Sequence, residues 1–355
     1  MSILQRYLWR ELAASFLAVT GVLLAILLVY QGGAVLARAA ELQYPSSVVL
    51  RLFALGAVQN ISLLLPFGLL LAAVLALGRL YGDNELFAAQ ACGLTRWQIQ
   101  RAVLLVAAPV VALAALITLQ LSPRAAAAET GLRAAALRSA LSVPIQPGQF
   151  RSLGGGMTVV YARGVAADGE LRDVFIKRGI GNIVEATVAR RARMVMASDG
   201  LSQTILLRDG ERLEGTPGSA SWRIVRFALQ SIPLVLPSAT PGVARRSELV
   251  TANLLGSANL EERTELQLRL GWPLMTLVVA LLAAPLGRLR PRQSRFSRIW
   301  IAVLLFALYA NLLQAAGIWL ERGATPAWLG LWWVHALVAL LAWAWLGAPR
   351  WLGRR

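Results

Sequence analysis

The chain reads as a membrane α-helical protein of six transmembrane helices with an all-β domain inserted between the third and the fourth, and three observations lead there. Hydrophobic residues make up 57% of the 355 and the mean hydropathy is +0.60, too apolar for a water-soluble globule of that length. Six uncharged runs cover residues 12–37, 52–78, 102–123, 270–287, 299–320 and 323–349, each at least 18 residues long. About 20 residues at a rise of 1.5 Å cross a hydrocarbon core roughly 30 Å thick, so each run is long enough to span. Between the third run and the fourth, the apolar period changes from helical to alternating, the pattern of β-strands.

The N-terminal residues place Ile3, Leu4, Tyr7 and Leu8 on one side and Gln5, Arg6 and Arg10 on the other, as in an interfacial helix feeding the first span. A cleavable signal peptide is not expected, because its apolar core is about 7 to 15 residues and this run holds 26. At the far end of the run, Gly32 and Gly33 thin one helix face for close approach by a partner. Arg38 follows at the mouth, either as a snorkelling side chain or as a ligand contact. Pro66 in the second span and Pro109 in the third each remove a backbone donor and mark kinks.

Residues 79–101, RLYGDNELFAAQACGLTRWQIQR, form a polar island between the second and third spans. A short helix over 83–93 is expected there, with Asp83 as N-cap, Glu85 in the first turn and Gly93 closing it in the left-handed conformation. Its apolar side, Leu86, Phe87, Ala89 and Cys92, would press on the spans and leave the acidic start exposed. Thr95 and Gln98 have capping-box spacing for the next helix. Such a segment, lying across the membrane face, suits a docking surface for a cytoplasmic motor.

The organisation expected is an N-terminal membrane half over 1–123, an inserted domain over 124–262 and a C-terminal membrane half over 263–355. The insert opens with the Ala-rich stretch 125–141, a helical continuation of span three. Strands are then expected over 157–165, 171–178, 185–198, 202–207 and 221–232. Gly154 to Gly156, Asp168-Gly169, Asp199-Gly200 and Asp209-Gly210 serve as turns. Short strands at this spacing suggest an antiparallel sandwich or jelly roll. A Pro-rich linker over 233–241 leads to a polar helix in which Glu261, Glu262 and Glu265 pair with Arg263 and Arg269 at helical spacing, read as a solvated face.

The net charge of +17 is distributed in a way that argues against nucleic acid. With the N-terminus cytoplasmic, the inner segments hold 13 arginines: Arg6, Arg10, Arg79, Arg96, Arg101, the cluster from Arg288 to Arg298, and Arg350, Arg354 and Arg355. The short outer loops hold three, Arg38, Arg51 and Arg322. The positive-inside rule then puts both termini inside and the β insert outside. The insert has 19 basic and 13 acidic residues over 124–269, a solvated face or a weak attraction for an anionic cargo.

Chemistry of its own is hard to place on this chain. The only lysine, Lys177, is followed by Arg178, so no phosphate-binding loop ending in Lys-Ser/Thr can be built. His335 and Cys92 are the only residues of their kinds, which excludes histidine triads, thiolate metal sites and an internal disulfide. The six runs contain no ionisable acid or base of the kind an ion-coupled transporter uses. No catalytic residue, cofactor site or metal ligand is expected, and work would have to enter mechanically from another chain.

Long stretches resemble one family: PFGLLLAAVLALGRLYGDNELFAAQACGLTRWQI from Pro66, PGQF from Pro147, RDVF from Arg172, GERLEG from Gly210, and ERTELQLRLGWPLMTLVVALLAAPLGRLRPRQSR from Glu262. In that order they are similar to the LptF/LptG permeases of lipopolysaccharide export, and ACGL and PRQSR resemble the LptF branch more than the LptG branch. The resemblance implies a six-span subunit of a Gram-negative inner membrane with a periplasmic β-jelly roll. It would pair with an LptG-like permease, be driven by an LptB-like ATPase dimer that binds the ATP, and hand lipopolysaccharide to LptC-like and LptA-like periplasmic proteins. It also implies that Asp83, Glu85, Leu86, Phe87 and Gly93 belong to the ATPase-coupling helix. Arg38, Arg51 and Arg322 would meet cargo phosphates, although of the basic residues the family carries at the end of span one only Arg38 remains. Spans one and five at a subunit boundary are the expected gates. Two other readings stay open: a mechanotransmitting ABC subunit of the lipoprotein or macrolide type, and a non-transporting membrane scaffold with a periplasmic binding domain.

Overall fold

A computed structural model of the chain describes residues 3–42, 46–142, 146–153, 158–166, 169–180, 183–196, 203–219, 221–234, 246–288 and 298–347. The expected turns at 154–156 and 199–200, the basic residues Arg290, Arg292 and Arg295 and the C-terminal arginines lie outside them. By internal packing the chain divides into two compact units. One comprises Met1–Gly32, Phe53–Glu129 and Ala244–Arg355, the other Gly33–Leu52 and Thr130–Val243.

The first unit is helical. Helix α1 (Ile3–Leu42) is continuous, so the expected interfacial helix is the first turns of the span itself. It is followed by α2 (Ser46–Gly82), the short α3 (Glu85–Ala91) and α4 (Arg96–Leu116). A π-helical segment (Ile117–Leu121) then runs without a break into α5 (Ser122–Ser142). After the insert come α6 (Thr251–Leu254), α7 (Leu260–Gly287), α8 (Ile299–Glu321) and α9 (Trp332–Gly347).

Among the described residues, five helices are long and apolar enough to cross a membrane: Ile3–Ala37, Val48–Gly82, Arg96–Ala136, Leu260–Gly287 and Ile299–Glu321. The sixth apolar run, over 323–349, does not begin as a helix. Its helix begins only at Trp332, because Gly323 ends α8 at φ 70° and Gly330 adopts φ 43°. The intervening loop is capped from α7, where Gln267 Nε2 donates to the Ala327 carbonyl at 3.4 Å and Gln267 Oε1 accepts from the Leu331 N–H at 2.9 Å. A Cβ on Gly330 would collide with that same side chain. Hydropathy cannot tell an apolar loop from an apolar helix, which is why the run looked uniform.

One apolar core joins these helices, with Leu8, Leu12, Leu69, Leu77, Leu80, Val103, Ala107, Met275, Val279, Leu282 and Leu313 among its buried members. Helix α4 lies against α7, and the buried Gln100 reaches across to donate to the Ala280 carbonyl at 3.0 Å. The lone histidine is a packing element: His335 Nδ1 lies 2.5 Å from the Tyr309 hydroxyl, and Gly271 leaves room beside its Nε2. Helix α1 is the exception, since only 6% of its most apolar stretch is buried. Val22, Ile26, Val29 and Tyr30 present a bare apolar face.

The second unit is built on one six-stranded antiparallel sheet in chain order. Its strands are β1 (Phe150–Leu153), β2 (Thr158–Val165), β3 (Leu171–Ile180), β4 (Ile183–Met196), β5 (Gln203–Gly215) and β6 (Trp222–Leu234). The Asp209-Gly210 turn expected from sequence is corrected, for both residues lie within continuous β5. What sits there is a kink. The pairing register is the same on either side of a row in which Arg163, Asp173, Arg190, Asp209 and Ala228 follow one another across the strands, and none of the five has a backbone ladder partner. Asp173 and Asp209 adopt φ 49° and 53°, a conformation aspartate tolerates better than most residues.

Buried positions change parity across that row. Val174 and Ile176 are buried on one side and Leu171 on the other; Ala189 follows the first set, while Ala192, Ile205 and Leu207 follow the second. A kink that flips parity without slipping register lets each long strand contribute to two half-sheets. Gly210 is required at the bend, since a Cβ there would strike the Val188 carbonyl oxygen and the Phe227 ring.

Candidate functional site

The polar island folds as a reversal, a short helix and a capped restart. Helix α2 runs to Gly82, and the N–H groups of Asp83 and Asn84 still bond back to the Arg79 and Tyr81 carbonyls, at 2.8 and 3.1 Å. The expected N-cap is therefore corrected: Asn84, in the left-handed conformation at φ 61°, precedes α3, and Asp83 closes α2. Asparagine holds that conformation at little cost because its short polar side chain crowds the backbone less than others do. Gly93 takes the left-handed position anticipated for it, at φ 97°, with its N–H on the Gln90 carbonyl. The capping box is formed as well: Thr95 Oγ1 accepts from the Gln98 N–H at 3.3 Å, and Gln98 Oε1 accepts from the Thr95 N–H at 2.8 Å.

A helix of seven residues cannot hold itself together, because nucleation costs more than so few hydrogen bonds return. Its neighbours hold it. Leu86 is 2% exposed and belongs to the main core. Phe87 meets the edge of Tyr81 with ring centroids 5.2 Å apart, and Gln90 Nε2 donates to the Tyr81 hydroxyl at 3.1 Å. Cys92 is exposed and takes no part in this packing, contrary to its expected place on the apolar side.

Glu85 is exposed at the start of α3. The Tyr7 hydroxyl donates to its Oε2 at 2.8 Å. One turn further along α1, Glu11 pairs with Arg79 at 2.5 Å. The foot of the first span is thus tied to both sides of the reversal, by Tyr7 to α3 and by Glu11 to α2. No sequence pattern signals these ties, since Tyr7 and Glu85 are 78 positions apart. The only local hint is that Tyr7 and Glu11 are four apart and so share a face of α1. Chemically, the arrangement is an acidic, solvent-facing knob on a helix whose opposite side is wedged into the bundle.

The arginines expected to meet a phosphorylated cargo are not gathered by one unit. Arg51, in the first turns of α2, is exposed and lies with Arg38 in the second unit; the Arg38 side chain is outside what the structure describes. Arg322, exposed at the end of α8, lies in the first unit.

A buried arginine that sequence reading left on a solvated face is the larger surprise. Arg269 is 5% exposed. Its Nε donates to Glu265 Oε1 at 2.8 Å, the i,i+4 pair the spacing anticipates, and its two Nη atoms turn inward to the segment preceding α6.

Comparison with known proteins bears on all of this. The profile described as lipopolysaccharide export system permease LptF/LptG matches residues 6–348. The curated lipopolysaccharide export system permease protein LptF of Escherichia coli strain K12 is 27% identical over 343 residues, covering 96% of this chain and 93% of that protein. The LptF protein of Shigella flexneri matches to the same extent.

Proposed function

The chain belongs to the LptF/LptG family of lipopolysaccharide export permeases, and we propose that it is the subunit through which the stroke of a partner ATPase reaches the lipid. The observation that carries this is α3: an exposed Glu85 on a short helix whose Leu86 is buried in the core and whose flanks are tied to α1 and α2. A partner that pulls or pushes on such a knob moves the first two spans with it. Asp83, Phe87 and Gly93 shape and seat the knob, and Glu85 is the contact.

On this reading the protein sits in a Gram-negative inner membrane with both termini cytoplasmic, and the apolar helix α9 is the sixth span. The kinked sheet is the periplasmic jelly roll, its long strands folding along the Asp173 and Asp209 row to enclose acyl chains. The bare face of α1 receives an LptG-like permease or the lipid itself. ATP is bound by an LptB-like dimer, and the cargo passes to LptC-like and LptA-like proteins. Arg38, Arg51 and Arg322 supply positive charge for lipid phosphates at the outer headgroup level.

Replacement of Glu85 by Ala or Arg tests the proposal. Because the side chain is exposed, the melting temperature of the permease should not change, whereas ATPase co-purification or lipopolysaccharide-dependent ATP turnover should be lost. Unchanged co-purification and turnover would remove α3 as the docking element and favour a non-transporting scaffold.

A further inference from the structure

We infer that Arg269 is a positioning residue that locks the returning end of the insert to spans three and four, so that these parts move as one body during transport. The inference rests on the permease reading above. A guanidinium offers five N–H donors in a fixed planar fork, and all five are used. Besides the Glu265 bond, Nη1 donates to the Leu249 carbonyl and to Thr251 Oγ1, each at 2.9 Å. Nη2 donates to the carbonyls of Arg246 and Ser247 at 3.1 and 3.2 Å. Three backbone carbonyls of one short segment thus converge on a single side chain. The segment from Arg246 to Leu254 is folded on Arg269 as on a template.

The network does not stop there. Thr251 has one hydroxyl proton, and while its oxygen accepts from Arg269 that proton goes to the Leu119 carbonyl at 2.5 Å. Leu119 lies in the π-helical segment of span three. In an α-helix its carbonyl would take the N–H of residue 123, but that residue is Pro123, which has none. The Thr251 hydroxyl donates to that carbonyl. On the other side Arg246 pairs with Glu321 at the end of α8, at 2.6 Å.

Hydrogen bonds therefore run from Glu265 through Arg269 and Thr251 to Leu119, with a branch to Glu321. The two covalent connections of the insert are α5, which continues span three, and the segment returning at Arg246. The π-helical segment that leads into the first and the start of the second are bonded at this one hub. Helix α4 carries the capping box beside α3 at its other end, so a tilt imposed there reaches the returning segment as a movement of the same solid piece.

The test uses the full chain in complex with its partner permease and ATPase in lipid nanodiscs, reading lipopolysaccharide transferred to a periplasmic acceptor per ATP hydrolysed. Thr251→Val keeps the side-chain shape and the Arg269–Glu265 pair but cuts the link to Leu119. Transfer per ATP should fall about tenfold with ATP hydrolysis unchanged, while the melting temperature falls because the Leu119 carbonyl and one Arg269 N–H lose their partner; Arg269→Lys should fall at least as far. Unchanged transfer per ATP, or parallel loss of hydrolysis and transfer, overturns the inference. Amide exchange provides a readout independent of transport: Thr251→Val should lose protection over 246–254 and 117–124 together, and loss in one segment alone refutes the linkage. A wild-type complex that hydrolyses ATP and passes no lipid would instead refute the permease reading, and the exchange result would still decide the clamp.

Discussion

Two polar joints in the helical unit are built on opposite principles. At α3, Tyr7 meets Glu85 and Glu11 meets Arg79 at the surface, where water stands ready to replace either partner. At Arg269, five donors meet five acceptors with the side chain 6% exposed, and no water can substitute. An exposed hydrogen bond or ion pair contributes roughly 1 kcal/mol or less, so the first joint can be exchanged for contacts with a partner at small cost. Removing one member of a buried charged network leaves the others desolvated and unpaired, at about 3 to 5 kcal/mol, so the second joint does not let go. A docking site needs the first property and a strut needs the second. Helix α4 and its π-helical extension run from one joint to the other: from Thr95 to Leu119 the helical rise of about 1.5 Å per residue gives roughly 35 Å.

The largest expected effect comes from breaking the buried joint outright. Arg269→Met strands the Glu265 carboxylate and three carbonyls, and should destabilise the purified permease by about 3 to 5 kcal/mol, read as a large fall in melting temperature or loss of folded yield. A small effect would mean that the network is replaceable and that the contrast is false. Next is the apolar wedge under the exposed joint. Leu86→Ala should cost about 2 to 4 kcal/mol and loosen α3, which limited proteolysis across residues 83–95 would detect. A Leu86→Ala variant as resistant as wild type would mean that α3 is held by its surface bonds after all. Smallest is Tyr7→Phe, which deletes one exposed hydroxyl and should change the melting free energy by no more than about 0.5 kcal/mol. A double-mutant cycle with Glu85→Gln should give a coupling below about 1 kcal/mol. A Tyr7 effect as large as that of Arg269 would erase the distinction between the joints.

Much of the fold was legible because it is local. The apolar runs mark five of the helices directly, since a span announces itself by length and absence of charge. The Thr95–Gln98 box and the left-handed Gly93 follow from residue types at fixed spacing. The strands were legible as alternation, yet the second half of β5 was missed, because Asp-Gly reads as a turn whether the chain reverses or merely kinks. The cap at Asn84 instead of Asp83 is the same kind of miss, a choice between neighbours that both suit turns.

By itself the sequence determined the helical class, the inserted β unit, the charge asymmetry of its short connecting segments and the acidic start of α3, since each depends on residues close together in the chain. Only the tertiary structure decided that Tyr7 reaches Glu85, that the sheet kinks along one row with its register intact, and that Arg269 is buried. An i,i+4 Glu–Arg pair looks identical on a wet face and on a dry one. Which it is depends on a segment about 20 positions away, around Leu249, that the fold brings against it.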